Sequence, residues 1–300
     1  MTPEQIAALA AAAAQTDDQT AEGGGGYTRE LPAEGSTVGR LIEYIEIGAR
    51  KQKPYKGKAK PNCREVRLTF ELLTNSAKRT DVKTIEVDGQ PVEIADQIRV
   101  KIPIKKGDRS SYTKLLKKMI YGREGIVHMA QMLGQAFLLK IVHNKPEGSE
   151  NTYANIRTAG ESGEWQVSAP RFQKDPMDDE SWVDLKVRDA VSPLRIFIYD
   201  HPTKESWDSL FIDGTRTVKN EDGTESEVSK NWIQESIVQA EDFHGSALEA
   251  FLAGIGGLSI AGDNEPSLDD DNGKEFDDLP TDNGGVQESA SEDDLASLGL

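Results

Sequence analysis

Three hundred residues hold 35 Lys and Arg against 52 Asp and Glu, a formal charge of −17, and only 36% of the chain is apolar. A lone cysteine, Cys63, excludes a disulfide framework and any multi-cysteine zinc finger. No apolar run reaches the ~20 residues of a membrane span, and no Lys or Arg precedes Arg29 to form the basic region of a secretory signal. A soluble, cytoplasmic protein with no membrane partner is expected. The mean charge hides a division. Residues 36–145 hold 23 Lys and Arg and 11 Asp and Glu, a net of +12, whereas residues 261–300 hold one Lys and 13 acids, a net of −12. Such asymmetry belongs to proteins that meet charged partners.

In chain order, Thr2-Pro3-Glu4-Gln5 reads as a helix start, extended by alanines 10–14 and ended by the tether Gly23–Gly26. Residues 1–29 are therefore an Ala-rich helical arm and linker. From Ser36 the pattern becomes β. Val38, Arg40, Ile42 and Tyr44 alternate along a first strand, and a polar loop runs from Arg50 to Pro61. Val66, Leu68, Phe70 and Leu72 then alternate with Arg67, Thr69 and Glu71, as in a half-buried strand. Short strands flank Asp88-Gly89-Gln90-Pro91, and Ile98–Ile104 is extended. Ser110 caps a helix through Leu115, Leu116 and Met119, Ile126–Leu133 reads as a second helix, and the β-prone runs 136–142 and 153–157 follow. Strands, a late helix and further strands give the order of an OB-fold, a five-stranded, partly open barrel over residues 30–160.

Residues 161–260 form an α/β extension packed on that barrel. They comprise a polar stretch to 192, strands at Leu194–Tyr199 and Trp207–Ile212, a charged loop from Lys219 to Lys230, and helical spacing from Ile233 to Ile255 broken at Gly245. Residues 261–300, acidic and nearly devoid of apolar side chains, form a disordered tail. The fold class is thus mainly β with helices.

Two basic stretches carry the chemistry. The first holds Arg50, Lys51, Lys53, Lys56, Lys58 and Lys60 around Tyr55, in a loop that an OB barrel places at its binding edge. The second holds Lys101, Lys105, Lys106, Arg109, Lys114, Lys117, Lys118 and Arg123, with Tyr112 and Tyr121 between them. Cations in such numbers attract a phosphate backbone and release its counterions. Tyr55, Tyr112 and Tyr121 are candidate base-stacking rings, while Tyr153 fits either a core or a surface role. Arg64 and Arg67 extend the same surface, and Tyr44 and Phe70 belong to the core. The four dispersed histidines offer no zinc spacing. Phosphate-loop, zinc-protease and serine-elbow motifs are missing from the sequence, so neither an enzyme nor a cofactor is expected. In the tail, Phe276, Asp277 and Asp278, then Asp293, Asp294, Leu298 and Leu300, set apolar residues in acid. That composition suits docking into a basic pocket.

Val38–Ile47, the lysine loop, Arg67–Leu72, Met129–His143, Tyr153–Arg157, Arg195–Pro202 and Trp207–Gly214 together resemble the single-stranded-DNA-binding proteins of tailed bacteriophages, over residues 30–215. The resemblance implies an OB-fold that coats single-stranded DNA in the bacterial host during phage replication, recombination or repair. It also implies an acidic tail that recruits replication or recombination proteins. Bacterial single-strand-binding proteins close that tail with Pro-Phe, whereas this chain ends Leu298-Gly299-Leu300. A homo-oligomer is compatible with this reading. The alternatives are a virion or scaffold protein with a solubilising tail, and an RNA-binding or strand-annealing factor.

Overall fold

A computed structural model describes residues 31–52, 54, 58–73, 82–87, 90–145, 152–159, 163–174, 177, 182–184, 186–219 and 225–256. The N-terminal arm, the tail, and the loop residues Lys53, Tyr55 and Lys56 lie outside them.

Strand β1 (Gly35–Arg50) is sixteen residues long, and the whole sheet is organised on it. Its C-terminal part pairs antiparallel with β2 (Cys63–Leu72), with register shifts at Leu41/Glu43 and Glu46/Gly48, and its N-terminal part pairs with β6 (Ala136–Asn144). The second shift needs Gly48: φ there is +77°, and a Cβ would lie 2.3 Å from that of Ala240. Strand β2 continues to β5 (Gln97–Pro103) and β6 to β7 (Tyr153–Asn155), so the order is β5-β2-β1-β6-β7. Two short strands join this path: β8 (Val167–Ser168) beside β6, and β11 (Arg195–Phe197) running parallel to β1. The sheet is otherwise antiparallel and is not closed. Three hairpins lie off it: β3 (Val82–Val87) with β4 (Gln90–Ala95), β9 (Arg171–Gln173) with β10 (Trp182–Asp184), and β12 (Thr215–Lys219) with β13 (Glu225–Ser229).

Helix α1 (Ser111–Ile120) joins β5 to β6. Ser110 caps it, its hydroxyl accepting from the Thr113 N–H, and Tyr112, Leu115 and Met119 at helical spacing turn one face inward. The inner sheet face buries Leu68, Phe70, Ile98, Val100, Ile102 and Phe137; Phe70 and Phe137 meet edge to face at 6.0 Å. A second core lies on the other side of β1. There Ile45 and Ile47 pack with Phe197, Tyr199, Trp207 and Leu210, and with Ile233, Ile237, Leu248 and Leu252 of helices α3 (Trp232–Val238) and α4 (Ala247–Ile255).

The structure departs from the sequence reading in several places. Trp207 sits in helix α2 (Lys204–Asp208), not in a strand, because Thr203 and Ser206 form a reciprocal cap just after Pro202. The stretch read as a second helix from Ile126 shrinks to a 3-10 turn, Met129–Met132, bounded by Gly125 and Gly134 in the left-handed region. The charged loop after Lys219 contains β13, whose Glu225 pairs with Lys219. The polar faces of β1 and β2 are buried as well: Arg67 is 5% exposed, and Thr69 and Glu71 are 0%. Arg188, Val191, Ser192, Arg195 and Trp232 cover them.

Candidate nucleic-acid interface

Register fixes where the two basic stretches meet. Arg50 at the end of β1 faces Cys63 at the start of β2, Glu65 faces Pro103 at the end of β5, and the Ile104 N–H donates to the Arg64 carbonyl at 2.7 Å. The loop after Arg50 and the segment after Pro103 therefore leave the sheet at the same end. Lys51, Lys58, Lys106 and Arg109 are exposed there, with Lys60 and Lys105 half-buried. This end is not purely basic, since Lys51 pairs with Glu241 at 3.4 Å.

Several predicted contact residues are structural instead. Arg50 is partly buried and donates to the Ser236 carbonyl and hydroxyl, and burial pushes its pKa down. Arg64 donates to Asp200 and, through Nε at 2.7 Å, to Asp242, while stacking over the Tyr199 ring. The hydrogen bond to Asp200 holds its guanidinium above the usual range. Arg67 lies 3.8 Å from Glu43 and its guanidinium covers the Trp232 ring, 4.4 Å from the centroid. Lys101 approaches the buried Glu65 at 3.9 Å. Arg64 and Arg67 thus fasten the extension to the sheet, and Arg67, buried against Trp232, offers no surface to a phosphate.

The same fastening continues along β1 and β2. The Thr69 hydroxyl donates to Glu43 at 2.5 Å, Arg195 reaches Glu43 at 3.3 Å, and the Tyr199 N–H donates to Glu46 at 3.0 Å. Glu71 accepts from Arg188 and from the Val191 and Ser192 N–H groups at 3.1, 3.1 and 2.7 Å. Burial alone would raise the Glu71 pKa, but these bonds outweigh it and hold the carboxyl below its ordinary value.

Of the candidate rings, Tyr112 is 6% exposed and packed beneath the sheet, so it cannot offer a face to a base. It is corrected from stacking platform to core. Tyr121, just past α1, is half-buried with its ring edge-on to Trp182 at 5.8 Å, and Tyr153 is half-buried on β7. On α1, Lys117 is exposed and lies 3.1 Å from the exposed Asp108, whereas Lys114 and Lys118 are half-buried. The acids that flank the basic end, Asp200, Glu241 and Asp242, carried no local signal; they lie some 140 to 190 residues from the cations they meet. Among the described residues, no group of three His, Cys, Asp or Glu side chains is placed to hold a metal, and no helix is long and apolar enough to cross a membrane. No protein-family model, curated protein or solved structure matches the chain significantly.

Proposed function

We propose that this chain is a non-catalytic, sequence-tolerant single-stranded-DNA-binding protein that coats single strands in phage replication, recombination or repair. One observation carries the reading: two basic segments far apart in sequence leave one end of one sheet, where Lys51, Lys58, Lys106 and Arg109 are exposed. Cations grouped this way suit a phosphate backbone better than any small ligand. The order β5-β2-β1-β6-β7, with α1 between β5 and β6, supports assigning these five strands to a partly open OB barrel. The acidic tail, with Phe276 and Leu300 set among carboxylates, is the segment proposed to compete for the basic surface and to recruit replication or recombination proteins when DNA displaces it. Deleting residues 261–300 should raise DNA affinity most at low salt, where charges are least screened.

The test is an anisotropy titration of a labelled oligothymidylate at two salt concentrations, with duplex DNA and RNA of the same length as competitors. Salt-sensitive binding that resists both competitors supports the reading. Preference for RNA, or accelerated annealing of complementary strands, would move it to the RNA-binding or annealing class. Indifference to all three would favour a virion or scaffold role.

A further inference from the structure

An open cleft of about 1270 Å³ lies beyond the C-terminal end of α1. Arg40 of β1, Arg123 of the loop after α1, Arg171 of β9 and Lys186 line it, together with Trp182 of β10 and the carboxylates Glu124, Asp184 and Asp189. How the arginines are held matters more than their number. Arg40 is fixed by the Gly134 and Arg188 carbonyls. Arg123 donates to the Gln135 side-chain oxygen and lies over the Phe137 ring at 5.0 Å. Both are positioned by neutral groups, which orient a guanidinium without cancelling its charge. Arg171 does have a carboxylate partner, Asp184, at 2.7 Å. Arg123 also feels Arg171: burial lowers its pKa, Asp184 opposes that, and Arg171 adds to it. Oriented forks around a half-exposed indole form a wall suited to a phosphate and a flat ring.

The face that an OB barrel ordinarily offers to an oligonucleotide, its second and third strands, corresponds to β2 and β5. On β2 that face is closed: Arg67, Thr69 and Glu71 are buried, with Arg188, Arg195 and Trp232 packed against them and their partner Glu43. A different basic route is open. From Lys106 and Arg109 at the sheet end, α1 runs ten residues, about 15 Å, along Lys114, Lys117 and Lys118 to Tyr121 and the cleft.

We infer that single-stranded DNA leaves the covered β2–β5 face aside and follows α1 from the basic sheet end into the arginine cleft, where phosphates meet Arg123 and Arg171 and a base lies against Trp182. This rests on the single-strand-binding reading, and the experiment separates the two. Among the four tryptophans, Trp165 and Trp207 are buried and Trp232 lies under Arg67, which leaves Trp182 as the indole able to report a ligand. Tryptophan emission and anisotropy are followed together while oligothymidylates of about four and about sixteen nucleotides, bracketing the site sizes of OB modules, are added to the full chain. The proteins compared are wild type, Trp182→Phe, Arg171→Gln, Lys118→Gln and the double variant Lys106→Gln/Arg109→Gln. Thermal melting confirms that each is folded.

The expected result is quenching by the longer strand that Trp182→Phe abolishes, with affinity weakened by part of the roughly five- to 150-fold that losing a stacked base costs, since Phe keeps a smaller ring. Arg171→Gln and Lys118→Gln each flatten the salt dependence by about 0.7, and Lys118→Gln, elsewhere on the route, keeps the test decisive even if Arg171→Gln melts early. If the wild type binds and Lys106→Gln/Arg109→Gln weakens it, while Trp182→Phe, Arg171→Gln and Lys118→Gln bind as wild type, the α1 route is overturned and DNA binding stands. If the wild type shows no preference for single strands, the functional reading itself falls.

Discussion

Neutralising Lys106 and Arg109 together should alter how DNA binding responds to salt, by an amount set by their position. Both side chains are exposed at the sheet end, outside every core, so replacing them with Gln leaves the fold intact. Each phosphate neutralised on a single strand contributes about 0.7 to the slope of log affinity against log salt, so losing two contacts lowers the slope by about 1.4. Across a fourfold salt increase, the affinity gap between wild type and Lys106→Gln/Arg109→Gln should therefore narrow about sevenfold. Anisotropy titrations of one labelled oligothymidylate at about 50 and about 200 mM salt, conditions between which such contacts are largely lost, measure both gaps. A gap that stays constant with salt would refute the reasoning, because the two cations would then act through something other than phosphate contact.

Four further outcomes follow from the packing. Glu71→Ala leaves the Val191 and Ser192 N–H groups and Arg188 without their acceptor, and urea unfolding should show a loss of about 2–4 kcal/mol. Because the folded pKa of Glu71 is depressed, its stabilisation is complete above the ordinary carboxylate pKa and fades as pH falls through the lower folded value. Stability measured from pH 7 downward should drop more steeply for the wild type than for Glu71→Gln. Phe197→Ala empties a fully buried site between β1 and the helices and should cost about 3–5 kcal/mol in the same unfolding assay. Tyr112→Phe should leave DNA affinity within about twofold of wild type and cost about 1 kcal/mol of stability, since the ring is core and only its hydroxyl is lost; a large drop in affinity would restore Tyr112 as a contact.

The inner half of the fold was legible because its signals are local. Alternation in Val66–Leu72, the Ser110 cap and the β-prone run of β6 each act over a few residues, and each appears where expected. The outer half was not legible from alternation, because Arg67, Thr69 and Glu71 look like a solvent face until Arg188, Val191, Ser192 and Trp232 arrive to cover them. One sign was present. Leu41-Ile42 and Tyr44-Ile45 with Ile47 form a nearly continuous apolar run, the composition of a strand buried on both faces. The candidate site divides in the same way. Charge runs located the basic sheet end, but charge alone does not tell a cation facing water from one committed to a distant carboxylate, as Arg64 is to Asp242.

The pairing of β1 also sets a timetable for the chain during synthesis. Its C-terminal half meets β2 almost at once, but its N-terminal half waits for β6, and Glu43, Tyr44 and Ile45 wait for Arg195, Ile196 and Phe197. At ribosomal rates of ~5–20 residues per second, a separation of about 150 residues corresponds to roughly 8–30 s. For that interval the nascent chain carries Ile45 and Ile47 on an uncovered strand, an arrangement that invites pairing with other chains. A fragment ending near residue 160 would be held in that state permanently. Covering of that strand is thus a late event, and expressing residues 30–160 without residues 161–256 should yield aggregate in place of a smaller soluble domain.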